Sequence, residues 1–302
     1  MLGIRDSHSP GQWINTVGEL TFALADGSEL TLLKDRVVYG KLPLSEQTVS
    51  AVQLPSGKYC IQTWSGLYIH DKTAQTYSPI SKEGMGRANF CTQDTAGNLW
   101  WVNSVDHIIY RYDGQKQEPL TAFGKAVGEE LVSAFNLPGA LQIAIVSSRR
   151  IAIINPDATL ALSHSLLDMT DSQQGLKISK AASISDSELL IEIMQSSKDK
   201  LYFILNTASG EIKEDKPVKQ LIGKHLLQQI RFTGTTGYLL TKNPDATVLQ
   251  RKDGQWKVLA TFEDMQPFLI RKVQPPYQMM PDPYGRIWLH TTAPNNLLRL
   301  DP

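Results

Sequence analysis

The sequence predicts an all-β fold, a seven-bladed β-propeller of four-stranded antiparallel blades. Three observations carry this. A phrase recurs at a period of 40 to 50 residues, Asp-Gly turns separate short runs of β-forming residues, and no long apolar stripe of helical period appears. Self-similarity at such a period is the mark of a repeat architecture. Four antiparallel strands per repeat suit a propeller blade, and the lack of a 3.6-residue stripe argues against a helical array.

The phrase is clearest in Asp94-Thr95-Ala96-Gly97-Asn98-Leu99-Trp100, followed by Ile109-Tyr110-Arg111-Tyr112-Asp113. It returns in Asp282-Pro283-Tyr284-Gly285-Arg286-Ile287-Trp288, followed by Leu298-Arg299-Leu300-Asp301. Each copy is a turn, an aromatic-bearing strand, a short loop and a second strand. Weaker copies centre on Gly11, Gly57, Gly139, Ser187 and Gly237, so the turn anchors are residues 11, 57, 97, 139, 187, 237 and 285. Seven units fill the chain.

Within a unit the first strand is a small apolar stretch before the turn, such as Val49–Val52 or Ala88–Cys91. The second and third strands are those of the phrase. A polar turn such as Lys252-Asp253-Gly254-Gln255 then opens the fourth strand. Asp-Gly between β-forming runs favours a tight hairpin, because Gly takes the positive φ the turn requires. The first unit reads as starting at Met1–Arg5, with its turn at Pro10-Gly11 and its next strand at Glu19–Leu24. The seventh ends after its third strand, at Leu300-Asp301, so the last blade is expected to be incomplete or closed by residues outside this chain. Residues 126–134 and 223–229, both between units, read as helical.

Length and composition set further bounds. All 302 residues read as one propeller domain, taken as a piece of a longer protein. Thirty basic and thirty acidic residues cancel, so no field favours nucleic acid or an anionic membrane. The longest apolar stretch, Ala140 to Ile154, is broken by Ser147-Ser148-Arg149-Arg150 and cannot span a bilayer. Met1 to Trp13 lacks the apolar segment of a signal peptide. Cys60 and Cys91 fall in neighbouring units; buried free thiols are the reading, with a bridge sterically open.

Repetition separates structure from chemistry. A catalytic residue is needed once, a packing residue once per blade. Gly57, Gly97 and Gly285 are therefore assigned to turns. Trp13, Trp100 and Trp288 are assigned to packing between blades, and Asp94 and Asp282 to binding turn amides. Unique residues should carry function. The loops between second and third strands supply an aromatic platform in Trp64, acceptors in Asn103 and Asp106, and a guanidinium in Arg149. That set suits a small polar ligand such as a saccharide or an anion. The six histidines show no metal-binding spacing, and no nucleophile elbow or phosphate loop is present, so no metal, cofactor or catalytic residue is assigned.

The pattern Asp-x-x-Gly-x-Leu-Trp, followed by Gly-Leu-x-x-Tyr-Asp, resembles the repeat of two-component regulator propellers. It is carried by 94–113, 57–71 and 282–301. The resemblance implies a non-catalytic, ligand-sensing domain on the periplasmic side of a bacterial signalling receptor. Flanking receptor domains would be its partners, and a second copy of the chain is left open as another. The chain is also similar to streptogramin lyases in length and in Gly285-Arg286-Ile287-Trp288. That family uses a His, a Glu after a Trp-Phe-Thr run, and magnesium. Here Trp288 precedes Leu289-His290-Thr291-Thr292 and Trp100 precedes Trp101-Val102-Asn103-Ser104, so the Glu is missing from both. A protein-interaction scaffold is the third reading.

Overall fold

A computed structural model describes residues 12–302, apart from 17–18, 27–28, 35–36, 44–47, 54–58, 64–66, 72–75, 82–87, 95, 104–107, 121–130, 138–141, 171–174, 196–198, 243–244, 269–275, 277, 283 and 291–296. The described residues are mostly β and form antiparallel sheets that follow one another along the chain. The first sheet pairs β1 (Gln12–Thr16), β2 (Glu19–Asp26), β3 (Glu29–Lys34) and β4 (Val37–Pro43). The second pairs β5 (Thr48–Gln53), β6 (Tyr59–Thr63), β7 (Leu67–Asp71) and β8 (Thr76–Ser81). The third holds β9 (Ala88–Gln93), β10 (Leu99–Asn103), β11 (Ile109–Tyr112) and β12 (Gln117–Leu120). The fourth holds β13 (Leu131–Asn136), β14 (Ile143–Ser147), β15 (Arg150–Ile154) and β16 (Leu160–Ser165). The fifth holds β17 (Lys177–Ser183), β18 (Glu188–Met194), β19 (Lys200–Asn206) and β20 (Ile212–Glu214). The sixth holds β21 (Leu226–Thr233), β22 (Thr236–Lys242), β23 (Thr247–Lys252) and β24 (Gln255–Thr261). The seventh holds three strands among the described residues, β25 (Gln278–Pro281), β26 (Ile287–His290) and β27 (Leu297–Leu300).

Three expectations are corrected. The first sheet takes its four strands from 12–43, so β1 is the stretch around Trp13 and not Met1–Arg5, which lies outside the described residues. The pair Gly11-Trp13 imitates the turn and aromatic of the other units, which displaced the reading of that unit by one strand. Residues 131–134, read as helical, belong to β13, where Val132 and Phe135 pack on the apolar core instead of lining a helix face. Residues 226–229 likewise open β21. The helix of that connection comes earlier, α2 at Lys216–Ile222, with Asp215 as its N-cap, Pro217 in its first turn and Gly223 (φ 54°) as its C-cap.

The sheets pack face to face through apolar layers. Leu67 meets Leu99 and Trp101 between the second and third sheets. Trp100 lies with Ile143, Ile145 and Ile154 between the third and fourth. Val146 and Ile151 meet Ile178, Ala181 and Ile191 between the fourth and fifth. Tyr202 and Leu190 meet Leu227, Leu239 and Leu249 between the fifth and sixth. Leu240 and Val248 meet Met279, Ile287 and Leu289 between the sixth and seventh. Each fully buried aliphatic side chain contributes about 1.5–3 kcal/mol. Strand alternation sends the faces apart, so Trp100 reaches the fourth sheet while Trp101 turns to the second.

Two regularities have no trace in the sequence. The leading strands β5, β13, β17 and β21 each carry a bulge, between Thr48 and Ser50, Leu131 and Ser133, Ile178 and Lys180, and Leu227 and Gln229. The trailing strands β4, β8, β16 and β24 carry another where they pair with the third strands. Bulges sharpen the twist, which the wedge shape of a blade needs. The residue after the leading-strand bulge then reaches the next sheet. Ser133 Oγ donates to the Ala181 carbonyl, Lys180 Nζ to the Leu227 and Gln228 carbonyls, and Gln229 Oε1 accepts the Met279 amide.

Two connections between sheets share a capped turn. Ser165 and Asp168 form a capping box on α1 (Leu166–Met169), and Thr261 and Asp264 repeat it on α3 (Phe262–Met265). Met169 and Met265 close each turn onto the core.

Candidate functional site

The recurring Asp-Gly-Trp turns come first, because their chemistry is complete. In the turn before β10, Asp94 is 1 % exposed. Its Oδ1 accepts the Asn98 amide at 2.9 Å, and its Oδ2 accepts Asn98 Nδ2 and Trp100 Nε1, both at 2.8 Å. Gly97 sits at φ 93°, where a side chain would be strained. In the turn before β26, Asp282 Oδ1 accepts the Tyr284 and Arg286 amides, and Oδ2 accepts Arg286 Nε and Trp288 Nε1. Burial pushes the Asp282 carboxyl upward, but the donors from Trp288, Arg286 and Tyr284 outweigh it and hold it below the usual range. The aspartate role expected from sequence holds, with one addition. Each carboxylate also anchors the indole that packs two residues into the strand.

The predicted ligand set is less complete. Arg149 is exposed on the turn between β14 and β15. Its amide donates to Ser147 Oγ and its carbonyl accepts the Leu166 amide, which ties that turn to α1. Asn103 ends β10 opposite Ala88, and its side chain lies outside the described residues. Trp64 and Asp106 lie outside them entirely. Cys60 on β6 and Cys91 on β9 are placed by backbone alone.

A polar cluster that sequence reasoning missed lies between the fifth and sixth sheets. Glu192, on β18, is 2 % exposed. Its Oε1 accepts Ser179 Oγ at 2.6 Å; its Oε2 accepts Lys200 Nζ at 3.1 Å and Tyr202 OH at 3.0 Å. Burial, the adjacent carboxylate and the hydrogen bond to it all push the Tyr202 phenol up, so it stays protonated and donating. Lys180 stands opposite Glu192 in register. The signal was present as one carboxylate in the apolar run Leu189-Leu190-Ile191-Glu192-Ile193.

At the opposite end of the same two sheets, Arg251 grips Glu188 through both terminal nitrogens and lies 6.0 Å from the Trp256 ring centre. Trp256 Nε1 in turn donates to Asp215 Oδ2 at 2.7 Å, while Asp215 Oδ1 caps α2. These bonds join the sheets and their connecting helix. Among the described residues no group of three or more His, Cys, Asp or Glu side chains is placed to hold a metal ion, and no helix is long and apolar enough to cross a membrane.

No family model matches the chain, and no curated protein matches it significantly. Solved structures do. The β-propeller domain of Cps50 from Myceliophteria thermophila matches with a TM-score of 0.68 at 11 % identity, over 98 % of each chain. A streptogramin B lyase matches at 0.66 and 12 %, over 95 % of this chain and 92 % of that one. The extracellular domain of a putative one component system from B. thetaiotaomicron matches at 0.63 and 13 %, over 93 % of this chain but 37 % of that one. At such identities the likeness shows the fold alone, and the fold is a β-propeller.

Proposed function

We propose that the chain is a non-catalytic, ligand-sensing propeller of a bacterial signalling receptor, working on the periplasmic side of the membrane. Its sheets close as a ring of seven blades that makes up one domain of a longer protein. One observation carries the reading. The repeated aspartates and tryptophans are consumed by turn and packing bonds, with Asp94 and Asp282 each accepting from an indole as well as the turn. Recognition is left to unrepeated residues on the loops between second and third strands, where Arg149 is exposed. The sensor-type neighbour, in which this chain matches about a third of a longer extracellular domain, supports placing it among flanking receptor domains. The lyase reading is weaker, because the Glu it needs is absent after both Trp100 and Trp288.

Thermal shift against a panel of mono- and oligosaccharides tests this. A ligand binding the native state raises Tm by mass action. Trp64→Ala and Arg149→Ala should weaken that ligand while leaving the Tm of the free protein in place. Unchanged affinity in both variants removes this loop set from the reading. Magnesium-dependent cleavage of a streptogramin B by the chain would replace the sensor with the lyase.

A further inference from the structure

Glu192 is out of place for a propeller core. The residue opposite the first position after the leading-strand bulge is Val146 in the fourth sheet, opposite Ser133, Leu240 in the sixth, opposite Gln229, and the uncharged Gln62 in the second, opposite Ser50. In the fifth sheet it is Glu192, opposite Lys180. The fold therefore accommodates an aliphatic side chain here, and a buried ion pair rarely adds stability over one. Stability is not what the carboxylate supplies.

What it supplies is placement. Ser179, Lys200 and Tyr202 take three of the about four acceptor positions of the Glu192 carboxylate. It holds the Lys200 ammonium, 12 % exposed, at the start of β19. Lys180 reaches across to the Leu227 and Gln228 carbonyls at the start of β21, and exposed Lys242 ends β22 at the same end of the sheets. Lys180 and Lys200 thus flank one carboxylate, and Lys242 stands near enough to Lys180 to act on its charge. Of the other charges at this end, Asp199 is paired with Lys219 at 3.8 Å, and Asp245 is exposed beyond β22, its carbonyl accepting His225 Nδ1. Burial draws the Lys180 ammonium below its usual range; Glu192 opposes this, and Lys200 and Lys242 add to the pull. A bound anion would relieve it.

We propose that this end of the fifth and sixth sheets binds the anionic group of a ligand, a carboxylate or a phosphate. Lys242 and Lys200 donate to it, and Glu192 is the positioning residue that aims Lys200. An ammonium has three donors, so Lys200 serves Glu192 and a ligand together. The proposal rests on the ligand-binding reading and names the charge class of the ligand.

Inorganic phosphate and succinate, titrated into the full chain at constant ionic strength, test it by thermal shift and calorimetry. One of the two should raise Tm saturably, and Lys242→Ala should weaken its Kd about tenfold, the loss of one charge-assisted hydrogen bond, with the free protein's Tm nearly unchanged. Lys242→Arg should restore most of the affinity. The proposal is overturned if neither anion binds, if sodium chloride gives the same shift, or if Lys242→Ala binds as the wild type does. A saccharide bound through Trp64 and Arg149 with neither anion bound overturns it and leaves the ligand-sensing reading standing. No binding by any ligand class removes both.

Discussion

Gly237 gives the sharpest test of how closely the sheets approach. The sequence offers it as a turn residue, yet it lies inside β22 and is buried, and the turn itself is at Gly234, φ 53°. A Cβ at Gly237 would sit 2.7 Å from the Ile184 carbonyl oxygen and 3.0 Å from Ile184 Cβ. Backbone cannot rotate away as a side-chain tip can. Restoring ordinary contact at about 3.4 Å opens the fifth and sixth sheets locally by roughly 0.7 Å, and a gap of that size forfeits about a quarter to a half of each dispersion contact it spans. The layer it would loosen is fully buried, with Ile184, Leu190, Leu239 and Leu249 all at 0 % exposure. Gly237→Ala should therefore cost about 2–3 kcal/mol, the upper part of the usual overpacking range. Urea unfolding followed by tryptophan fluorescence measures it, as a lower midpoint at unchanged slope. Gly254→Ala is the control: nothing lies within 4 Å of its Cβ, and φ is 74°, so about 1 kcal/mol of left-handed strain is the whole cost. If Gly237→Ala loses no more than Gly254→Ala, the sheets are not packed as described.

Other outcomes follow from the turns and the ion pairs. Asp94→Ala leaves three donors without an acceptor, two of them on Asn98 and one on Trp100. Allowing for water at the turn, it should cost about 3 kcal/mol in the same assay. The depressed Asp282 carboxyl contributes stability that is whole above about pH 4, the unfolded value, and is lost as pH falls through the folded value. A pH series of urea midpoints should show a smaller acid loss in Asp282→Asn than in the wild type. Gly97→Val, at φ 93°, should destabilise by at least about 2 kcal/mol, since a β-branched residue there adds χ1 restriction to backbone strain. Ala158→Gly should raise stability modestly, by about 0.5 kcal/mol, read as a higher urea midpoint. Relief of strain at φ 70° is partly offset by the methyl lost from the Trp100 layer.

The sequence announced what is local. The Asp253-Gly254 hairpin has the two positive φ angles, 51° and 74°, that the dipeptide implies. Trp100 packs between sheets as its repetition suggested. What needed coordinates is what depends on pairing. A bulge breaks the alternation of apolar residues without changing composition, so Ser133, Lys180 and Gln229 were not recognisable as equivalent positions. The α2 signals were legible in Asp215, Pro217 and Gly223, but the helix was read at 223–229, of which residues 226–229 open a strand. Glu192 stood in plain view. Its meaning appears only once Ser179, Lys200 and Tyr202, distant in sequence, close around it.

Ring closure is the claim on which the rest depends, and one distance measures it. Spin labels at positions 299 and 252 report neighbouring sheets, the seventh and sixth, from exposed positions on their third strands; labels at 299 and 31 span from the seventh sheet to the first. With Cys60 and Cys91 replaced, double electron–electron resonance compares the two pairs. A closed propeller sets both at one blade-to-blade spacing, since packed sheets lie about 10 Å apart, with label length added equally. A 299–31 distance several times the 299–252 distance would mean an open array, and the assignment of repeated residues to the ring would fall with it.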